Sequence, residues 1–422
     1  MLGRQVFFRH YRSKASGVHR GYRVIRRRCA RFYPGESADI LKFVFAGSGR
    51  RKEHVRLFER SLADFLGAEN VVAVSSGREA MRLILSSLQL EAGDEVVLPA
   101  YTLKDLVPII KGLGLVPVFA DCEPSSFNIS PDSFRERISP STKAVIAAHM
   151  FGVPCRIKEV CGIARSEGIK VIEDCAHTMG AEYEGRKTGT FGDGAFFSFE
   201  LSKPVNALGG GAIVLKDPAV SCSLRERAAS RSAHIGRVLS KAIFASFQES
   251  VSRSPFFPVL TAFFTSERGR RLYWKIQARR RSRSFGFDGV QAGIALKQLE
   301  ALGRREEARA LAARRYDSII PPAAGVQRVP PGASRNYYFY VVTLPGEVSA
   351  AEVRDSLRRK GIDSGIGEEI TDDCAALWPG RPCPCASSLF RRNIQLPMYD
   401  GLSEEQAERI AYALLGAVRE GR

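Results

Sequence analysis

Val171-Ile172-Glu173-Asp174-Cys175-Ala176-His177 reads as a short apolar strand that ends in acids and runs on into a histidine. Further along, Phe196-Phe197-Ser198-Phe199 repeats the apolar run, leads to Lys203 and is followed by Gly209-Gly210-Gly211. Outward from this pair the same short motif recurs at Val71–Val74, Asp94–Leu98, Val116–Ala120 and Ala144–Ala148, each bounded by polar or turn-forming residues. Segments of helical length lie between them, such as Glu79–Leu88 and Ile157–Glu167. Strands alternating with helices imply an α/β fold: a three-layer arrangement with a mostly parallel sheet covered on both faces. In such sheets ligands gather at the C-terminal ends of the strands. Ser76-Gly77, Tyr101-Thr102, His149 and Asp174–His177 all fall there, which points to one shared site.

The alternation closes near residue 217, and residues 218–283 break it. Beyond them, Val290–Leu302 reads as a helix that leads into Arg304–Ser318. A strand at Tyr337–Leu344 and helices at Ala350–Lys360 and Ser403–Val418 then suit a small α+β domain. At 422 residues the chain exceeds the usual limit of a single core. Four parts are expected: a basic N-terminal arm at 1–44, a large domain at 45–217, a basic hydrophobic insertion at 218–283, and an interdomain helix with a small C-terminal domain at 284–422.

The net charge of +18 is concentrated in two of these parts. Residues 1–34 carry ten Lys/Arg and no acid, and residues 218–283 carry fourteen Lys/Arg against three Glu. The N-terminus lacks the continuous apolar core of a secretory signal, and its composition suits a disordered basic arm or a transit peptide, the arm being favoured. No run of about eighteen apolar residues exists, so no simple membrane-spanning helix is expected. The nine cysteines follow no repeated pattern, and Cys383-Pro384-Cys385 is too tightly spaced for a zinc knuckle. Free thiols in a reducing cytoplasm, with no metal site, are expected.

Three features carry chemistry. Ser76-Gly77-Arg78-Glu79 is a strand-to-helix turn, and backbone N–H groups at a helix start suit a phosphate. Ser198, at the end of its strand, can add a hydroxyl to the same phosphate, although a lone serine is also a common structural residue. Asp174 ends an apolar strand, where a buried carboxylate requires a facing cation; capping the next segment is the plainer alternative. Lys203 lies at the edge of an apolar run, placed either as a nucleophile and base or as an ordinary lysine reaching for solvent. His177 is either a cofactor contact or a satisfied core histidine. An acid and a lysine at strand ends are what pyridoxal 5′-phosphate chemistry requires: the lysine forms a Schiff base and the acid keeps the ring nitrogen protonated.

With these residues in place the chain resembles the sugar aminotransferases of the DegT/StrS type, within the fold type I pyridoxal phosphate enzymes. The resemblance runs over about residues 45–216 and 284–418. Gly93-Asp94-Glu95-Val96, Pro99–Thr102, Glu173–His177, Gly192-Asp193 through Lys203 to Gly210-Gly211, Leu396–Tyr399 and Leu402–Glu405 carry it. It implies that Lys203 binds the cofactor and moves the substrate proton, that Asp174 pairs with the ring nitrogen, and that His177 contacts the ring hydroxyl. Ser198 and the Gly77-Arg78-Glu79 turn would hold the phosphate. The implied reaction moves an amino group from glutamate to a keto sugar attached to a nucleotide, in polysaccharide or glycan biosynthesis. A homodimer with sites at the subunit interface is implied as well. Departures stand out: Arg78 replaces a usual Thr, and Leu103 stands where an aromatic residue commonly stacks on the ring, leaving Leu103 or Tyr101 for that role. Ser284-Phe285-Gly286 replaces an Asn-Tyr-Arg-like run, and Ile366–Ile370 replaces a His-Tyr-Pro stretch on the substrate arm.

Two rivals remain: a pyridoxal phosphate-dependent sugar dehydratase, against which Lys203 weighs, and a non-catalytic protein retaining the fold for binding or regulation. In the insertion, Leu239, Ile243, Phe247 and Val251 form an apolar helical face flanked by Arg237, Lys241 and Arg253. Phe256–Phe264 and the arginines at 268–283 follow. Such a composition fits peripheral membrane contact through 236–283 at the inner face, or a lid or dimer arm whose arginines meet an anionic substrate. No nucleic-acid motif accompanies the charge.

Overall fold

A computed structural model describes residues 24–27, 36–45, 47–229, 235–236, 238–243 and 286–421. Seven strands form the central sheet: β1 (Asn70–Val74), β2 (Glu95–Pro99), β3 (Val116–Ala120), β4 (Thr142–Ala148), β5 (Lys170–Asp174), β6 (Gly194–Ser198) and β7 (Gly211–Leu215). Their spatial order is β1-β7-β6-β5-β4-β2-β3. All neighbours pair in parallel except β7, which runs antiparallel to both β1 and β6. The expected mostly parallel α/β sheet is therefore present.

Strand periodicity decides which side chains meet which helices. Val72 and Val74 face one layer with Ile172, Phe196 and Ile213, against Ala80, Met81 and Ile84 of helix Gly77–Ser87. Their neighbours Val71 and Ala73 turn to the other layer, where Phe58 and Leu62 of helix Ser48–Leu66 and Ala292 and Ala295 of helix Gly289–Glu300 cover them. Val97, Val145, Ala147 and Val171 continue that second face onto Ile157, Val160 and Ala164 of helix Ile157–Ser166.

The small domain is an antiparallel sheet of β8 (Tyr340–Thr343), β9 (Gly365–Ile366) and β10 (Asn393–Leu396), with β10 central. Helices Leu302–Asp317, Ala350–Arg359 and Glu404–Glu420 cover it. Ser403 and Gln406 form a capping box at the start of the last helix. The strand expected from Tyr337 begins only at Tyr340, because Tyr337 adopts a left-handed φ of 52° that breaks the extension.

Three expectations need correction. The arm at 1–44 is not free along its whole length. Helix Glu36–Phe45 buries Ile40 against Val290 and Ile294, and the buried Glu36 carboxylate accepts from Gln298 Nε2 at 3.0 Å. Upstream, Ile25 forms a bridge with Ile362, and Arg27 pairs with Glu369. Apolar residues among the arginines supply this docking; residues 1–23 lie outside the described ones. Second, the stretch from 218 does not leave the large domain at once. Helix Pro218–Ala229 packs Leu224, Val220 and Ala228 onto the large-domain core, and Arg225 Nη2 donates to Val71 O at 3.1 Å. Third, within the stretch 238–243 of the insertion the buried positions are Val238 and Ala242. Leu239 lies at their edge and Ile243 is 69% exposed. Two small side chains one turn apart allow close approach to Leu208 and Val290. Phe247, Val251, Phe256–Phe264, Arg268–Arg283, Ser284 and Phe285 lie outside the described residues. Among the described residues no helix is long and apolar enough to cross a membrane.

Candidate active site

The ends of β1, β6 and β7 meet so closely that side chains are excluded. A Cβ on Gly211 would stand 2.6 Å from Gly77 N, Phe197 O and Ser76 C, and one on Gly77 would stand 3.1 Å from Ser198 Cβ. Glycine at both positions therefore brings Ser198 to the start of helix Gly77–Ser87. Ser76 caps that helix, its Oγ accepting the Glu79 N–H at 3.1 Å. Of the three turn residues expected to present backbone donors, Glu79 is thus already engaged; its carboxylate also holds Arg82. Gly77 and Arg78 remain beside the Ser198 hydroxyl at the positive end of the helix.

Asp174 closes β5, and its Oδ1 accepts the Ala176 N–H at 2.9 Å. Burial raises its carboxyl above the ordinary range, although Ala176, Lys203 and His149 pull the other way. Among the described residues no basic side chain forms an ion pair with it. Such a carboxyl is set to receive a cation from outside the protein. Lys203 sits on the loop after β6, near enough for its charge to act on Asp174, with Nζ 5.6 Å from the centre of the Tyr338 ring. His177 is buried in a ring cluster: stacked at 6.0 Å on Phe151, 5.1 Å from Tyr338 and 5.4 Å from Phe339. Its Nδ1 accepts the Phe151 N–H at 3.3 Å, which places the proton of the neutral ring on Nε2.

The two candidates for the ring face separate clearly. Tyr101 is fully buried, with its hydroxyl accepting from Asn393 Nδ2 at 2.9 Å and its edge against Phe151. Leu103 is 39% exposed. Only Leu103 has surface to offer a ligand. It is flanked by two ion pairs, Arg78 with Asp105 and Lys104 with Asp372. Arg78 is thereby turned toward the Leu103 segment and ties it to the helix start.

His149 does not join the site. Its Nδ1 accepts the Cys155 N–H at 3.0 Å, and Nε2 lies 3.1 Å from Glu173 Oε2. Glu173 also accepts from Gly189, Phe191 and Gly192 N–H groups. Burial opposes its charge, but the His149 contact and the backbone donors outweigh that and hold its carboxyl below the ordinary value. His149, Glu173 and Cys175 lie close enough to suggest a metal set. The polar atoms of His149 and Glu173 are already spent on protein partners, so the group is a brace behind β5.

Sequence reasoning missed Tyr338 and Asn336. Asn336 Nδ2 donates to His177 O at 2.8 Å and Met179 O at 3.0 Å, and its Oδ1 accepts the Tyr338 N–H at 3.0 Å. It thereby joins the His177 segment to the small domain and carries Tyr338 over Lys203. Nothing local distinguishes Asn336-Tyr337-Tyr338 from the start of an ordinary strand; only the tertiary fold brings them here.

A glycine-lined cradle with a hydroxyl and a helix start, a half-buried acid without an ion pair among the described residues, and a nearby lysine together fit pyridoxal 5′-phosphate. A model of the DegT/DnrJ/EryC1/StrS aminotransferase family matches residues 36–415. The chain belongs to that family, which uses pyridoxal 5′-phosphate. Protein MosB of Rhizobium meliloti is 39% identical over 192 residues, covering 44% of this chain and 38% of MosB. A UDP-N-acetyl-3-dehydro-alpha-D-glucosamine 3-aminotransferase of Acidithiobacillus ferrooxidans is 28% identical over 382 residues, covering 89% of this chain and 90% of that protein. The aminotransferase TlmJ of Streptoalloteichus hindustanus shares the fold, with a TM-score of 0.74 at 23% identity over 94% of this chain and 99% of TlmJ.

Proposed function

We propose that this protein is an aminotransferase that takes an amino group from glutamate and places it on a nucleotide-linked keto sugar destined for polysaccharide or glycan. The observation that carries the reading is Asp174, a half-buried carboxyl that no cationic side chain among the described residues pairs with, beside Lys203 and the Gly77–Ser198–Gly211 cradle. The name of the Acidithiobacillus relative, a 3-aminotransferase of a UDP-linked dehydro sugar, supports the acceptor class.

When bound, pyridoxal 5′-phosphate supplies an electron sink that stabilises negative charge at the carbon bearing the amino group. Gly77, Arg78 and Ser198 would hold the phosphate through backbone N–H groups and a hydroxyl. The Asp174 carboxylate would hold the ring nitrogen in its protonated form. His177 Nε2–H is assigned to the ring hydroxyl, and Leu103 packs on the ring face and excludes water. Lys203 Nζ would hold the cofactor and serve as the base that moves the substrate proton. Tyr338 limits where that amine can swing. Leu41 and Phe45, exposed one turn apart on helix Glu36–Phe45, support a homodimer, which light scattering at twice the chain mass would register.

The test is the visible spectrum of protein with added pyridoxal 5′-phosphate before and after glutamate, for wild type and Lys203→Ala, followed by incubation with UDP-, dTDP- and GDP-linked keto sugars. The proposal expects a Lys203-dependent band that glutamate bleaches, and amino sugar formed mole for mole with 2-oxoglutarate. A deoxygenated sugar lacking nitrogen would replace the reading with the dehydratase, and no Lys203-dependent band would end it.

A further inference from the structure

The loop that carries Lys203 has an unusual backbone. Leu208, Gly209 and Gly210 adopt φ values of 57°, 113° and 106°, three left-handed residues in succession. For leucine that conformation is strained, and it persists only where the surroundings over-determine it. Inside the loop, Phe199 O accepts from both Ala207 and Gly209, and Phe199 N donates to Gly210 O. From outside, Gln291 Nε2 donates to Ala207 O and Gly209 O at 3.3 and 2.9 Å.

The remaining support comes from the stretch that breaks the alternating pattern. Leu208 is fully buried in a cluster with Val238, Ala242, Ile40, Val290 and Ile294. Lys241, on the same helical segment, lies across the turn: a Cβ on Gly209 would stand 2.3 Å from Lys241 Nζ. The ammonium donates to Glu200 Oε1 at 3.2 Å and Oε2 at 3.4 Å. Glu200 in turn offers its backbone carbonyl to the Lys203 N–H at 2.8 Å. The insertion therefore touches the loop at Leu208, over Gly209, and at the residue that holds Lys203.

We propose that segment 238–243 is a clamp on the Lys203 loop and that Lys241 is its positioning residue. The clamp gives the insertion a route to the site. The catalytic role of Lys203 rests on the function proposed above; the clamp itself does not, so its test reads the loop before any chemistry.

Hydrogen exchange of the peptide spanning 200–211 is measured in cofactor-free protein for wild type, Lys241→Met, Lys241→Arg, Glu200→Gln and the Lys241→Met/Glu200→Gln pair. A half-exposed ion pair limits the effect to about fivefold. Each neutralising single change is expected to speed exchange of this peptide by about three- to fivefold. The pair should add nothing further, and Lys241→Arg should restore the wild-type rate. In loaded enzyme, Lys241→Met should slow glutamate bleaching by a similar factor with unchanged apparent affinity for glutamate. Wild-type exchange in Lys241→Met, additive effects in the pair, or failure of arginine to rescue would each overturn the clamp. Altered exchange in a protein that binds no cofactor would keep the clamp and remove the aminotransferase.

Discussion

Replacing Glu173 by Gln should destabilise the protein strongly without touching a ligand. Glu173 Oε1 accepts the Phe191 and Gly192 N–H groups at 2.7 and 2.8 Å, while Oε2 accepts Gly189 N–H at 2.8 Å and faces His149 Nε2 at 3.1 Å. An amide offers one oxygen and one NH2. Whichever way it is set, two donors are left facing a donor, and His149 cannot switch tautomer because its Nδ1 already accepts from Cys155. Bonds to a charged acceptor contribute about 1.5–3 kcal/mol each, so two lost bonds give a destabilisation of about 3–6 kcal/mol. The sign with pH is fixed as well. Although burial opposes it, the folded carboxyl is held below its ordinary value, so its contribution is present above the unfolded range and lost as acid protonates it. Urea unfolding of cofactor-free protein, followed by circular dichroism at neutral and acid pH, measures both effects. A neutral-pH loss under about 1 kcal/mol, or a gap that does not narrow in acid, would refute the brace.

Other outcomes follow from single contacts. Glu306, pushed up to about 7 by burial against the pull of Arg309 and Lys187, holds a proton in the folded state that the unfolded chain has lost. Stability should therefore fall as pH rises from 4.5 through about 7, and Glu306→Gln should flatten that decline, by a ceiling of about 3 kcal/mol in pH-scanned urea melts. Gly211→Ala forces a Cβ against three backbone atoms. It should cost about 1–3 kcal/mol and weaken pyridoxal phosphate binding at least about tenfold by fluorescence titration; unchanged affinity would move the phosphate elsewhere. Arg78→Thr removes the pair with Asp105 and adds a hydroxyl at the turn. Stability should change by less than about 1 kcal/mol while cofactor affinity rises, and weaker binding would assign the phosphate to the Arg78 charge.

Six of the seven strands of the central sheet were legible because each carries a short apolar run that a covered sheet must bury, whereas β7 (Gly211–Leu215) was hidden behind the glycines that open it. Asp174 and Lys203 stand out in the sequence for a related reason: a charge at or just beyond the end of such a run calls for a partner. His149 shared the same position and proved to be structural, since sequence places a residue at a strand end without saying which way it turns. Leu103 and Tyr101 could not be ranked from one sequence, because the ranking depends on Asn393, nearly three hundred residues away. Asn336 and Tyr338 were invisible for the same reason. The Leu239/Ile243 periodicity was genuine but one residue out of phase with the burial. Helical spacing fixes a face only to within a residue, and the Leu208 cluster selects Val238 and Ala242. The docking of Ile25 was hidden beneath the arginines around it, and that of Ile40 lay in a segment counted with the basic arm.

The central claim is that Lys203 is where this protein carries its cofactor. Borohydride reduction of the holoprotein, followed by proteolysis and mass spectrometry, tests it directly. The account predicts a pyridoxyl-phosphate adduct on the peptide containing Lys203, absent in Lys203→Ala and retained in Asp174→Asn at reduced occupancy. An adduct confined to another lysine, or none in protein saturated with pyridoxal 5′-phosphate, would contradict it.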